Sequence, residues 1–394
     1  MRTFSREITG PADFELGRPR SAPLSFAATF PEGEAQGLVF LIPGFGGDTD
    51  DGYAQALRKH VAANHGMAAV SVRYHCFGSR PGTKGKVEVD PREHLMLLGL
   101  ALTHKVPLGK LSDTEDVARR LAAAGIKAQA RATIKPARGE YQNFGLLQAM
   151  DHLAVLGHLI EKGEVFDRRR IVALGSSHGG FIAHMMAKIA PRTLAMVIDN
   201  SSYTQPPMEY LGQPASAEFV YALAGEVMAY CRTRSAWSTG NRQAPDFYDR
   251  DRDLIRDTHY PAHLAAAKIQ AGESSTLYRM VNAAEDGISP PQMKQRQATA
   301  LSALGFDARL ALIGQAELDG QVFKKMVHGL DASLAGFFDL AIPDLQPRDG
   351  PIDQEAGSVV AYECIDSIYR FTHGAAAPYV RGEVTSRFFP EPGA

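Results

Sequence analysis

The residues best suited to chemistry are Gly175-Ser176-Ser177-His178-Gly179, a serine set among small residues at the apex of a turn. Ahead of them Arg170 to Leu174 (RIVAL) is a short β-branched run, long enough for one buried strand. Behind them Gly180 to Ala187 carries apolar residues at helical spacing. Strand, tight turn and helix in direct succession leave the serine backbone strained and closely packed, which glycines on both sides permit. The same turn lifts Ser177 Oγ off the end of a sheet and aims the following N–H groups, His178's first, at one place. Ser177 is therefore a candidate nucleophile; the competing reading is a glycine-rich strand–helix turn with an inert serine.

A serine hydroxyl is a poor nucleophile near neutrality. It needs a neutral imidazole to take its proton and a carboxylate to hold that imidazole's tautomer. The turn and its flanking elements resemble the nucleophile elbow of the α/β-hydrolase superfamily, with Ser177 at the nucleophile position. The resemblance implies the order serine, acid, histidine, each on a loop at the C-terminal edge of the sheet. After the apolar run at Thr276 to Asn282 only two histidines remain, His328 and His373. His328, in a loop just past the last core strand, stands where the base belongs; His373, in a C-terminal hairpin, is the alternative. For the acid, Asp286-Gly287-Ile288-Ser289-Pro290 is similar to the family's D-x-x-x-P turn. This favours Asp286 over its neighbour Glu285 and over Asp199, which follows the strand after the elbow. Pro43-Gly44-Phe45-Gly46-Gly47 resembles the family's H-G-x-G loop, with proline where histidine is usual. The resemblance makes the Phe45 N–H the second oxyanion donor beside that of His178.

The elements that must position these groups follow in chain order. Residues 1 to about 36 alternate as two or three antiparallel strands. Gly37 to Ile42, Met67 to Val72, Arg170 to Leu174, Leu194 to Ile198, Thr276 to Asn282 and Ala308 to Ile313 read as buried strands. Helices at Tyr53 to Ala63, Phe144 to Ile160, Gly180 to Ala187 and Pro291 to Leu304 lie between them, which is the rhythm of a parallel sheet with right-handed crossovers. The expected fold class is thus α/β: an α/β-hydrolase fold, with a mostly parallel central sheet, helices on both faces, and antiparallel strands at the N-terminus. The rhythm breaks twice. Residues 76–140 read as an insertion with short helices near Leu95 to Ala101 and Thr114 to Ala124, too small to build a strong core alone. Residues 201–272, with helical pieces near Ala217 to Tyr230 and Ala262 to Ile269, read as a second insertion; the resemblance implies a helical cap there that supplies much of a substrate pocket, the alternative being an ordinary decoration. The core is then 1–200 and 273–394. An extra hairpin at Val359 to Tyr379 and a Pro/Gly-rich tail close the chain.

Composition narrows the function classes. The 394 residues carry 42 Lys+Arg and 44 Asp+Glu, so nothing points to nucleic acid or an anionic membrane surface. The three cysteines Cys76, Cys231 and Cys364 are far apart and suggest neither a disulfide framework nor a zinc ribbon. No H-E-x-x-H or Asp/His cluster suggests a metal, and no G-x-G-x-x-G opens a crossover unit, so no metal site and no cofactor are expected. Gly78 to Lys86 has the wrong spacing for a phosphate loop, with Val87 where Ser or Thr is required. No apolar signal core or membrane-length run is seen, which makes a cytoplasmic location the expectation. The resemblance implies a serine hydrolase acting on a small-molecule carboxylic ester, including an O-acyl group on a sugar, through an acyl-enzyme. An acyltransferase using the same triad and a noncatalytic binding protein on the same fold are the alternatives. Arg73, Tyr74 and the arginines Arg232, Arg234 and Arg242 read either as a solvated basic face or as a site for a carboxylate.

Overall fold

The computed structural model describes every residue except 21, 212–216, 234, 273 and 389–394, so Arg234 and most of the Pro/Gly-rich tail lie outside the described residues. The chain divides into two compact units, the first made of Met1–His75, Asn143–Pro206 and Tyr248–Ala394, the second of Cys76–Gln142 and Pro207–Phe247. In chain order the strands are β1 (Arg2–Ile8), β2 (Leu24–Phe30), β3 (Leu38–Ile42), β4 (Ala68–Arg73), β5 (Lys86–Val89), β6 (Ala128–Lys135), β7 (Ile171–Ser176) and β8 (Met196–Asn200). They continue as β9 (Phe219–Ala224), β10 (Val227–Thr233), β11 (Leu277–Ala283), β12 (Ala308–Ile313), β13 (Val359–Glu363), β14 (Ser367–His373) and β15 (Val380–Ser386). The α-helices are α1 (Gly52–His65), α2 (Pro91–Thr103), α3 (Thr114–Ala123), α4 (Leu146–Glu161), α5 (His178–Ile189), α6 (Arg250–Arg256), α7 (Pro261–Ala271), α8 (Pro291–Ala303), α9 (Leu334–Ala341) and α10 (Asp353–Ala356).

The first unit is built on an eight-stranded sheet in the order β1-β2-β4-β3-β7-β8-β11-β12. Pairing is antiparallel from β1 to β2 and from β2 to β4. It is parallel across β4, β3, β7, β8, β11 and β12. This is the α/β-hydrolase fold. The central strands are apolar on both faces, as a parallel sheet covered on both sides requires. Val39, Leu41, Val172 and Leu174 pack with Leu57 and Val61 of α1 and with Phe337 and Phe338 of α9. Alternate residues point the other way: the Phe40 ring meets His152 of α4 edge-on, with centroids 5.6 Å apart. A separate antiparallel sheet, β13-β14-β15, stands where the sequence suggests a hairpin.

The second unit departs from the sequence expectation. Its sheet runs β5-β6-β10-β9, with β6 and β10 parallel and both outer pairs antiparallel. Leu97, Ala101, Val117 and Leu121 of α2 and α3 close over Ala130 and Val227 of that sheet. Two segments, neither large enough for a core by itself, thus share one. The helix expected near Ala217 to Tyr230 is instead the β9–β10 hairpin, turning at Gly225 with φ 51°. Alanines raise helical propensity here, but the pattern that wins is period two: Val227, Ala229, Cys231 and Thr233 are buried while their neighbours are half-exposed. The helix expected near Ala262 to Ile269 is α7, and it belongs to the first unit. The second excursion therefore runs over 207–247, where the sequence places boundaries at 201 and 272. Among the described residues no helix is long and apolar enough to cross a membrane.

Candidate active site

The turn after β7 holds Ser177 at φ 54° and ψ −120°, a backbone region that costs a non-glycine residue on the order of 1–3 kcal/mol. Two glycines make the turn possible. A Cβ on Gly175 would lie 2.2 Å from the Gly179 backbone, and one on Gly179 would lie 1.9 Å from Ile42 O. The strained residue is held from both sides: its N–H donates to Asn200 O of β8 at 2.7 Å, and its carbonyl accepts from Phe181 N–H at 3.1 Å. Ser177 remains half-buried.

Two further loops reach the serine. The turn after β11 carries Asp286, whose side chain is sealed from solvent. Its Oδ1 accepts from Ile288 N–H at 2.8 Å and Ser289 N–H at 2.9 Å, which fixes the carboxylate's plane. The loop after β12 carries His328, whose ring keeps 19% of its surface exposed. His328 Nδ1 lies 2.8 Å from Asp286 Oδ2 and 3.1 Å from Oδ1; its Nε2 lies 2.8 Å from Ser177 Oγ. A carboxylate only accepts, so Nδ1 carries the proton and Nε2 is left to accept from the serine hydroxyl. Ser177, His328 and Asp286 are brought together from loops 42 to 151 residues apart in sequence. Asn200, which the sequence reading passed over, braces two of these loops: its Nδ2 donates to Ser176 Oγ at 3.2 Å and to Gly329 O at 2.9 Å.

The loop after β3 lies against the elbow, since a Cβ on Gly44 would fall 2.8 Å from Ser176 O and 3.1 Å from Ser177 Cβ. Proline at position 43 removes the side chain usual there, and Tyr74 supplies support of another kind, its hydroxyl donating to Pro43 O at 3.0 Å. The Phe45 ring stacks on the His178 ring at 4.2 Å and 12°. The His178 ring is fixed in turn by Gln148 Oε1 at 2.8 Å from Nε2 and Tyr203 OH at 3.0 Å from Nδ1. His178 thus offers its backbone at the start of α5 and uses its side chain to seat the facing loop. Backbone N–H groups at a helix start are ready donors to an anion.

The other candidates are placed elsewhere. Glu285 is exposed. His373 is buried in β14, with Nε2 donating to Ile189 O at 2.8 Å. Asp199 is sealed in a polar cluster: Lys294 Nζ lies 2.5 Å from its Oδ2, Ser202 Oγ 2.7 Å and His184 Nε2 2.9 Å. Arg73 turns to the chain's own acids, Asp50 at 2.7 Å and Asp48 at 3.2 Å. Arg232 is half-buried on β10 and Arg242 is exposed.

No curated protein matches the chain by sequence. Among solved structures it is similar to the acylaminoacyl peptidase of Pyrococcus horikoshii, at 12% identity and a TM-score of 0.45, over 86% of this chain and 41% of that one. It is similar also to a puromycin-hydrolyzing peptidase of Mycobacterium tuberculosis, at 13% identity and a TM-score of 0.46, over 88% and 40%. The carboxylesterase Cest-2923 of Lactobacillus plantarum WCFS1 aligns at 14% identity and a TM-score of 0.44, over 87% and 96%. The chain spans about two fifths of the length of the two peptidases. Residues 4–377 match the family described as "Protein of unknown function (DUF2920)", and the chain belongs to that family.

Proposed function

We propose that the chain is a serine hydrolase that cleaves a carboxylic ester through an acyl-enzyme. One observation carries this reading: a single imidazole lies 2.8 Å from a serine hydroxyl on one side and 2.8 Å from a buried carboxylate on the other. Ser177 Oγ attacks the ester carbonyl carbon while its proton passes to His328 Nε2. Asp286 keeps the imidazole in the required tautomer and stabilises the cation that forms. Negative charge gathers on the former carbonyl oxygen, and the N–H groups of Phe45 and His178 receive it. Losing one such donor raises a barrier by about 3 kcal/mol. Collapse of the tetrahedral intermediate expels the alcohol, which takes the proton from His328. Water then repeats the sequence on the acyl-enzyme.

The test uses a short-chain aryl ester and a fluorophosphonate probe. Wild-type protein is expected to turn over the ester and to be labelled on Ser177. Ser177→Ala should lose at least about a thousandfold in kcat, keep its fold and take no label. Undiminished turnover in that variant, or wild-type protein that neither hydrolyses nor labels, would refute the reading.

A further inference from the structure

A second set of chemistry-bearing side chains meets on the face of the core sheet covered by α1 and α9. His60 lies within α1, His65 is its last residue, and Asp339 stands on α9. Asp339 Oδ1 lies 2.8 Å from His60 Nε2 and 2.6 Å from His65 Nε2. The ligand atoms of all three residues fall within 4.8 Å of one another. Two imidazoles and a carboxylate converging on one point form the donor set of a three-coordinate protein site for a borderline transition metal.

We propose that His60, His65 and Asp339 bind one divalent transition-metal cation of the zinc class, which clips α1 to α9. The surroundings suit such an ion in three respects. First, the rings are held: His65 packs edge-on against Phe338 at 5.0 Å. Asn64, one turn on from His60, places its side-chain amide 3.0 Å from His60 Nδ1. When the ion takes Nε2, the imidazole proton resides on Nδ1, and the same amide turned over presents its oxygen to accept it. Second, the geometry is near. Bonds of about 2.0–2.1 Å in a tetrahedral site space the donor atoms by about 3.3 Å. The present separations of 2.6 and 2.8 Å then open by roughly half an ångström. Side chains that are 20%, 25% and 43% exposed can make that move. Third, the fourth position has access: an open cleft of about 470 Å³ is bordered by Asn64, His65 and Asp339, leaving room for water or a further ligand.

The placement gives the ion a role distinct from chemistry at Ser177. Helix α1 begins a few residues after the Phe45 loop, and α9 begins just after His328. Their near ends are already joined, since Leu334 N–H donates to Tyr53 OH at 3.1 Å. An ion at the far end of α1 completes a two-point clamp between the helices that follow these two loops.

Full-length chain, freed of any tag and stripped of metal, is titrated with Co²⁺ and then with Zn²⁺. The expected result is one ion per chain, visible absorption of four-coordinate Co²⁺ that Zn²⁺ displaces, and a Tm that rises with Zn²⁺ concentration. His65→Gln and Asp339→Asn should each weaken binding at least tenfold and abolish the Zn²⁺-dependent Tm rise. Asn64→Leu, which touches no ligand atom of the ion, should weaken it about tenfold. Each variant's Tm without metal reports its fold. Zero stoichiometry in the wild type overturns the proposal. So does Co²⁺ affinity equal to wild type in both His65→Gln and Asp339→Asn.

Discussion

Among the described residues two histidine–aspartate pairs have a carboxylate with no solvent exposure, and the surroundings of the two could hardly differ more. His328 meets Asp286 at 2.8 Å, and His184 meets Asp199 at 2.9 Å. In both the carboxylate is sealed from solvent. At Asp199 an ammonium, Lys294 Nζ, stands 2.5 Å away, itself fully buried. Burial alone would raise the Asp199 carboxyl, but the Lys294 charge and the His184 hydrogen bond outweigh it and hold the group below the ordinary carboxylate range. The His184 ring lies flat against Tyr278, at 5.4 Å and 5°. At Asp286 the stabilising partners are two neutral backbone N–H groups, and the far nitrogen of the imidazole meets a hydroxyl. The same residue pair is placed to relay a proton in the proposed reaction in one case, and is a packed ionic post in the other. What separates them is the carboxylate's other partners and what the second ring nitrogen faces.

The largest effect that could break this comparison is at Asp286. Asp286→Asn keeps the turn's shape but favours the wrong imidazole tautomer, so kcat should fall on the order of 10⁴-fold with little change in the unfolding midpoint. Asp199→Asn should behave in the opposite way. It leaves Lys294 as an uncompensated buried cation, a change that costs about 3–5 kcal/mol in comparable cases, read by denaturant unfolding. At a temperature where that variant is still folded, kcat should stay within a few fold of wild type. Replacing both partners, Asp199→Asn with Lys294→Met, should recover much of the lost stability, since an apolar pair of similar volume needs no compensating charge. If Asp199→Asn instead lost turnover as deeply as Asp286→Asn, the distinction between relay and post would fail.

That distinction was also the limit of what the chain discloses before it folds. The elbow is legible because strand, glycines, serine and helix are covalent neighbours, and each local preference agrees with the fold. The His328 loop is legible from its place after the last core strand. Asp286 stands out in the sequence by the turn it opens, whereas the role of Asp199 at the end of β8 depends on Lys294, 95 residues beyond it. The second unit is obscured for a different reason: its core is assembled from two segments, and strands carrying more than one alanine, such as β6 and β9, have a composition that also suits a helix until they pair. The His60, His65 and Asp339 cluster has no local signal at all, because Asp339 is 274 residues from His65.

The smallest of these effects concerns the cost of sealing an imidazole in the core. His152 on α4 is fully buried, its Nδ1 donates to Gln148 O at 2.7 Å, and burial lowers its pKa from 6.5 to about 4. In the unfolded chain this histidine takes up a proton as pH falls through about 6.5; in the folded chain it does so only near 4. Over that window the unfolded state binds more protons, so stability declines as pH falls, by roughly 3 kcal/mol at most for this group at about 1.4 kcal/mol per unit. His263 acts with the same sign, burial pushing it down to about 3. Asp199 acts in a separate window. Its stabilisation is complete above the ordinary carboxylate value of 3.8 and is lost only below it. His152→Asn can keep the donor to Gln148 O while removing the titration. Denaturant midpoints measured near neutrality and at about pH 4.5 should therefore lie closer together in His152→Asn than in wild type, with His263 and the other histidines that burial lowers, His158, His184 and His373, contributing to the slope that remains. Equal slopes would mean that His152 already takes up its proton in the folded chain, and that this part of the core is open to water.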